Sequence, residues 1–213
     1  MKKLLLFLCV CLSVFLTAGC VSTAQAADAS PEYPMLNPQQ TVAVVEFVNK
    51  TKYGERRLSD SASEILTSEL ARSGSFILVE RQKLDEVMEE LNLQLSGMTA
   101  TENAAEIGNL LNCKYLLIGT VSNFGVKTSG KDMIIAQSKV QAAECEVDIR
   151  IVDVETGAII YSAYGKGTDE RSVSSAFGVG QTGGYDETLA GNVMRKAIQD
   201  AVLKMIKFFQ ARA

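Results

Sequence analysis

The chain has 213 residues, 47% hydrophobic and 22% charged, enough apolar material for one substantial core and not the composition of a disordered protein. The formal net charge is −4 with no basic stripe, so a nucleic-acid binder is not expected. Histidine is absent, which removes the commonest general base and the commonest zinc ligand.

Lys2 and Lys3 precede an apolar run from Leu4 to Leu16, followed by Thr17, Ala18, Gly19 and Cys20. This is the layout of a secretory signal, too short to span a bilayer as a helix. Two processing sites compete. Ala18-Gly19-Cys20 looks like a lipobox, in which the cysteine is diacylated and becomes the new N-terminus, although Thr17 stands where leucine is usual. Ala24-Gln25-Ala26 fits an ordinary A-x-A cleavage site but lies farther from the apolar core. If Cys20 is the lipid site, Val21 behind it in place of aspartate implies the outer membrane. Loss of Lys2 and Lys3 leaves 19 basic against 25 acidic side chains, a mature charge of −6. Residues 1–19 are therefore expected to be a signal peptide, and 20–40, with Pro31, Pro34 and Pro38, a lipidated N-terminus and flexible tether. Residues 41–213 are expected to fold as one domain.

Thr41 to Val48 is a near-continuous apolar run and reads as a central strand. Ser59 or Asp60 can cap a helix with Ala62, Ile65, Leu66 and Leu70 on one face, and Ser73-Gly74 stops it. Phe76 to Val79 is a short buried strand that passes without a linker into a helix carrying Leu84, Val87, Met88 and Leu91. Glu80 and Arg81 stand at that junction, where a carboxylate suits the helix start and an arginine can tie neighbouring segments together. The chain breaks at Gly97. Thr99 with Glu102 has capping-box spacing for a third helix, with Ile107, Leu110 and Leu111 facing inward.

Tyr115 to Val121 reads as a strand. Cys145, Val147, Ile149 and Ile151 alternate with Glu146, Asp148 and Arg150, giving a strand with one buried and one wet face. Glu155-Thr156-Gly157 turns the chain into a strand from Ala158 to Ser162, and a last helix is expected at about Glu187 to Phe209. The order of elements specifies an α/β fold, a mixed β-sheet packed by helices, in a single domain. Two Gly/Ser-rich stretches, Phe124–Ala143 and Gly165–Asp186, read as hairpin insertions between core elements.

The block Leu78-Val79-Glu80-Arg81-Gln82-Lys83-Leu84 resembles the hallmark of the CsgG family, the curli production assembly and transport lipoproteins, with Glu80, Arg81 and Leu84 at the motif positions. Lys114–Thr120, Val147–Gly157 and the final helix from about Thr188 resemble the same family in order and spacing, so the likeness covers about residues 41 to 209. It implies a lipid-anchored periplasmic domain that works in assembly or secretion of curli-type fibres or another extracellular protein. It also implies a homo-oligomeric ring or channel, the two glycine-rich stretches corresponding to hairpins that combine into a barrel in pore-forming members. Read from the residues alone, Ala136, Ser138, Val140 and Ala142 alternate only weakly with polar neighbours, so a membrane barrel and periplasmic loops both stay open. The alternative function is a non-pore adaptor or activator lipoprotein that binds a protein partner. Expected partners are other copies of the chain, outer-membrane lipid through acylated Cys20, and a secreted or periplasmic protein.

Cys113 and Cys145 are the cysteines left in the folded part. If the strand after Cys113 turns near Ser129-Gly130, Cys145 comes close to Lys114 across the sheet, so a disulfide and two buried thiols are both open. Gly178-Val179-Gly180-Gln181-Thr182-Gly183 matches G-x-G-x-x-G, but no strand immediately precedes it and no parallel strand can follow the last helix. No cofactor, metal site or catalytic residue is expected, and the chain is not expected to be an enzyme.

Overall fold

The computed structural model describes residues 31–53, 55–91, 103–132, 136–176 and 187–212. The signal peptide, Cys20, the break at Gly97, the Thr99–Glu102 box and the Gly178–Gly183 motif lie outside them. The elements in chain order are β1 (Gln40–Asn49), α1 (Glu55–Ser73), β2 (Phe76–Leu78), α2 (Arg81–Glu90), α3 (Ala104–Leu111), β3 (Tyr115–Asp132), β4 (Ala136–Asp153), β5 (Ile159–Ala176) and α4 (Glu187–Gln210). They form a five-stranded mixed sheet in the order β2-β1-β3-β4-β5. β1 is parallel to β2 and β3, whereas β3, β4 and β5 form an antiparallel meander. The α/β fold expected from the order of elements is the fold observed.

Helices α1 and α4 cover one face. Leu66 and Leu70 of α1 and Val193, Ala197, Val202 and Met205 of α4 bury against Val42, Phe47, Leu117, Val147, Ile149 and Ile151. Helices α2 and α3 cover the other face over β1, the start of β3 and the end of β4, where Leu84, Met88, Ile107 and Leu111 meet Ala43, Val45, Leu116, Ile118 and Val152. Leu110, expected to face inward, is instead 50% exposed, because the apolar stripe of this short helix runs through Ala104, Ile107, Gly108 and Leu111. Phe209, at the end of the range expected for the last helix, is buried and touches Tyr115 and Phe76.

The fold begins before residue 41, inside what composition marks as tether. Leu36 is buried, its amide donates to Ser75 Oγ at 3.0 Å, and Ser75 Oγ donates to the Pro34 carbonyl at 2.9 Å. Gln39 Nε2 donates to the Gly74 carbonyl at 2.6 Å. Gly74, at φ +63°, is the left-handed stop of α1 that the sequence predicts, and Gly157, at φ +68°, serves the β4–β5 turn. In that turn the Gly157 amide donates to the Asp153 carbonyl at 2.8 Å.

The first glycine-rich stretch forms the expected hairpin, as a direct continuation of the strands on either side of it, and the second continues β5. Each of β3, β4 and β5 runs for 18 residues straight through them, as far as Ala176. The pairing continues from Phe124↔Cys145 to Asp132↔Gln137 and from Cys145↔Gly167 to Ala136↔Ala176. Glycine and serine lower strand propensity without forbidding the extended backbone, and β4 holds a ladder partner on each side. The part of the second stretch from 177 to 186 lies outside the described residues.

Gly165 and Gly167 have a packing reason. A Cβ on Gly165 would lie 2.0 Å from the Ala197 carbonyl oxygen, and one on Gly167 would lie 2.1 Å from that of Val193, so α4 rests on β5 with backbone against backbone. Gly167→Ala should therefore lower the unfolding free energy by about 1–3 kcal/mol in urea titration, through overpacking. Gly125→Ala, with nothing within 4 Å of the place its methyl group would take, should stay within about 0.5 kcal/mol.

Candidate functional site

The part of the sheet that the helices leave bare is the candidate site. On the α2–α3 face the apolar cover ends at Ile118 and Val152, and the next residues along β4 and β5 are polar and partly exposed. Lys166 Nζ bridges Glu144 Oε1 at 2.6 Å and Glu146 Oε1 at 3.2 Å across the two strands, with Tyr164 beside them, 43% exposed. Lys166 holds the Glu144 carboxyl below the usual carboxylate range, and the two glutamates push the lysine up to about 12. These groups are open to solvent, so the pairs are a matter of surface pattern and not of stability. On the opposite face, the last apolar residues of the core cluster along the strands are Val126 and Ala143, in the same cluster as Leu189 of α4.

Beyond those levels β3, β4 and β5 continue as a three-stranded ribbon with polar residues on both faces. The row Lys127–Ala142–Glu170 lies on one face, and the row Val126–Ala143–Asp169, followed by Gln141, on the other. A membrane strand needs about 9–11 residues with an apolar lipid side, and among the described residues of these rows neither face is apolar.

The ribbon has two outer edges. β1 accompanies β3 only as far as Val121, after which β3 pairs on one side with β4. β5 is the last strand, and α4 caps part of its edge: Lys204 Nζ donates to the Tyr164 carbonyl at 2.7 Å, and the Lys166 amide donates to Asp200 Oδ2 at 3.1 Å. Alternation directs the backbone of Thr168 and Glu170 to the same outer side. Among the described residues no side chain caps them. Exposed strand edges are templates for pairing with another strand, and proteins normally blunt them, as α4 does up to Lys166.

Glu80 and Arg81 sit where expected, at the entrance to α2, but their roles are unequal. Glu80 occupies the N-cap position with an exposed carboxylate and makes no side-chain capping bond. Arg81 Nη1 donates to the Val45 carbonyl at 2.8 Å, and its Nε to Asp85 Oδ1 at 3.0 Å. Val45 is the extra residue of a bulge in β1, between Val44↔Leu117 and Glu46↔Ile118, so its carbonyl has no place in the β1–β3 ladder. Arg81 satisfies it from the next segment. Leu84 is buried one turn later under the same strand. The motif is thus a fastening of α2 to β1.

Cys113 and Cys145 are free thiols, each buried, in apolar clusters on opposite faces of the sheet. The chain turns between Asp132 and Ala136 and not near Ser129, which moves Cys145 opposite Phe124, ten residues along β3 from Lys114. At about 3.3 Å per residue no disulfide can join them. Burial pushes the Cys113 thiol up to about 11 and Cys145 up to about 12.

Sequence reasoning missed Glu69. Its side chain is wholly buried and accepts from Tyr33 Oη at 2.8 Å, Arg195 Nη1 at 2.7 Å, Gln199 Nε2 at 3.4 Å, and the Arg72 guanidinium. It joins the N-terminal segment, α1 and α4 through one carboxylate. Burial, then the bond to Glu69, raises the Tyr33 hydroxyl well above its ordinary pKa. The available signal was an acid beside Leu66, Leu70 and Ser73 on the buried stripe of α1. Among the described residues no group of three or more Cys, Asp or Glu is arranged to hold a metal ion.

The family described as "Curli production assembly/transport component CsgG" matches residues 23–213. A Neisseria meningitidis serogroup B protein named as a "putative lipoprotein" is 31% identical over 176 residues, 78% of this chain and 74% of that protein. Among solved structures, the LpoB C-terminal domain from Salmonella enterica is 23% identical, covering 60% of this chain and 81% of that one, with a TM-score of 0.44. The PelC dodecamer from Paraburkholderia phytofirmans is 19% identical, covering 81% and 93%, with a TM-score of 0.43.

Two outcomes follow from this geometry. Glu69→Ala, which leaves the charges of Arg72 and Arg195 without their shared acceptor, should lower stability by about 2–4 kcal/mol in chemical denaturation. A thiol reagent at pH 8 should leave Cys113 and Cys145 of the folded protein unmodified and react with both on unfolding. Because the folded thiols hold their protons to higher pH than unfolded ones, their contribution is complete below the ordinary thiol pKa. Stability should accordingly fall as pH rises from about 9 through 11–12, measured by urea midpoint.

Proposed function

The chain belongs to the CsgG family, and from that premise we propose that it is a non-catalytic lipoprotein of the bacterial outer membrane, anchored through acylated Cys20, that assembles with other copies of itself through its ribbon. The observation that carries this reading is the pair of backbone edges without a strand partner among the described residues, β3 from Gly125 onward and β5 beyond Gly167, on one projecting ribbon. A chain with two open edges can pair one with the other between copies, and such head-to-tail contacts close into rings when the rotation allows. The naming of a Neisseria relative as a lipoprotein supports the anchor, and the family description supports a role in assembly or export of an extracellular protein. No step in that role requires an acid–base pair, a metal or a cofactor.

The polar residues on both faces of the ribbon, Lys127 and Glu170 on one and Asp169 and Gln141 on the other, favour a second reading over a lipid-embedded channel. In it a single copy acts as an adaptor, and the same edges receive a strand from a different envelope protein. The two are separated by the mass of the full-length lipoprotein extracted in mild detergent, read by light scattering. Self-assembly predicts a multiple of the subunit mass that falls to one subunit in Thr168→Pro. That substitution removes an outward amide while leaving the bonds to β4 intact, so the circular dichroism should not change. Uniform monomers of the unaltered protein would discard self-assembly and leave the adaptor.

A further inference from the structure

The two flanks of the ribbon's base differ in charge. Between residues 50 and 57, where β1 gives way to α1, the sequence sets Lys50, Lys52, Arg56 and Arg57 against a single carboxylate, Glu55. Asn49 holds the turn in shape: its Oδ1 accepts from the Thr51 amide at 2.9 Å, and its Nδ2 donates to the Tyr53 carbonyl at 2.7 Å. Lys50, Lys52 and Arg57 are exposed, and Tyr53, among them in sequence, is 47% exposed. Arg57 lies in the first turn of α1, where the helix dipole disfavours a cation, so helix stability does not account for it. Lys127, also exposed, extends the positive flank along β3.

The β5 flank has the other sign. Glu144 and Glu146 share Lys166, and Asp169 is met by Lys196. Glu170 is exposed, and among the described residues neither it nor Lys50, Lys52, Arg57 or Lys127 makes an ion pair. The excess charge is thus positive on one side of the sheet and negative on the other.

Both flanks stand at one level along the strands. The Lys50 amide donates to the Val121 carbonyl at 3.0 Å, and the Tyr53 ring meets Phe124 edge to face at 5.9 Å. Strand pairing carries Val121 and Phe124 across β4 to Gly165 and Gly167. Lys127 and Glu170 occupy one row, with Ala142 between them. Copies turned about an axis along the strands meet at equal heights, so the β3 flank of one faces the β5 flank of the next. Opposite signs attract there, whereas β3 against β3 or β5 against β5 would bring like charges together.

We propose that the partner of this surface is a second copy of the chain, joined head to tail and selected by charge: Lys50, Lys52, Arg57 and Lys127 of one copy seat against the β5 flank of the next, with Lys127 beside Glu170. This rests on the self-assembly reading above and supplies its polarity.

Charge reversal tests it in the full-length lipoprotein in mild detergent, with the mass read by light scattering over a dilution series. Lys127→Glu and Glu170→Lys should each raise the concentration of half-dissociation at least about tenfold. Carried together in one chain, the two reversals should return it to within about threefold of the unaltered protein, because every contact again joins opposite signs. Lys52→Glu, outside the strands, should weaken assembly in the same direction, and it carries the test should a strand variant change the circular dichroism. Reversals without effect, or a double variant no better than either single one, overturn the charge-selected contact and leave self-assembly standing. Unaltered protein that is monomeric at every concentration overturns the self-assembly reading itself, and this contact with it.

Discussion

Helix α4 lies on β5 with only hydrogen atoms at positions 165 and 167 between the two backbones. This close approach fixes where the sheet is covered and where it is bare. It lets Val193, Ala197 and Met205 reach across to the apolar side of β4, and it brings Asp200 and Lys204 to the rim of β5, where they cap the edge backbone. The interaction is directional. α4 begins at Glu187, its cover extends to the level of Ala143, and the strands run on without it. A longer side chain at either glycine would lift the helix, open the core beneath, and uncap the edge together.

The bare part is built differently from the covered part. Toward the pole where Phe209 meets Tyr115, inward residues of β4 are Val147, Ile149 and Ile151; toward the ribbon they become Cys145, Ala143 and Gln141. The outward residues stay polar as far as Glu144, and the inward position becomes polar too at Gln141, which is still buried, so the apolar-polar alternation fades along the strand. Such a ribbon gains little from burial, and its stability comes from ladder bonds and from β4 pairing on both sides. Backbone edges are then the strongest binding feature it offers, since an added strand supplies hydrogen bonds along its whole length. Glu69 contributes at the other pole, where one buried carboxylate holds the N-terminal segment, α1 and α4 in register.

Much of the covered fold was legible because periodicity and punctuation agreed. The Leu66–Leu70 stripe with its Gly74 stop, the alternation from Cys145 to Ile151 and the Gly157 turn each had a local physical signature, and each stands where it was expected. The Glu80–Arg81 junction was legible in position but not in role, because a bulge at Val45 is a property of strand pairing and leaves no mark in the sequence. The glycine-rich stretches were legible as a hairpin but not as continuous strands, for a related reason. Gly165 and Gly167 look like loop residues until the helix that needs them is placed, and the turn between Asp132 and Ala136 lies five residues from where Ser129-Gly130 suggested it. That displacement, with the opposite faces the two side chains occupy, separates Cys145 from Cys113. The Glu69 cluster joins residues 33, 69 and 195, a separation that local pattern cannot read.

The central claim is that the ribbon's outer edges are pairing surfaces for protein, and amide hydrogen exchange at Thr168 and Glu170 in the full-length lipoprotein tests it most directly. Their outward amides have no acceptor among the described residues of a single chain, so slow exchange in the native assembly requires a partner strand. The account predicts protection at both positions that disappears when the assembly is dissociated, while Ala163 and Gly165, bonded to β4, stay protected. Fast exchange at Thr168 and Glu170 in the intact assembly would contradict it.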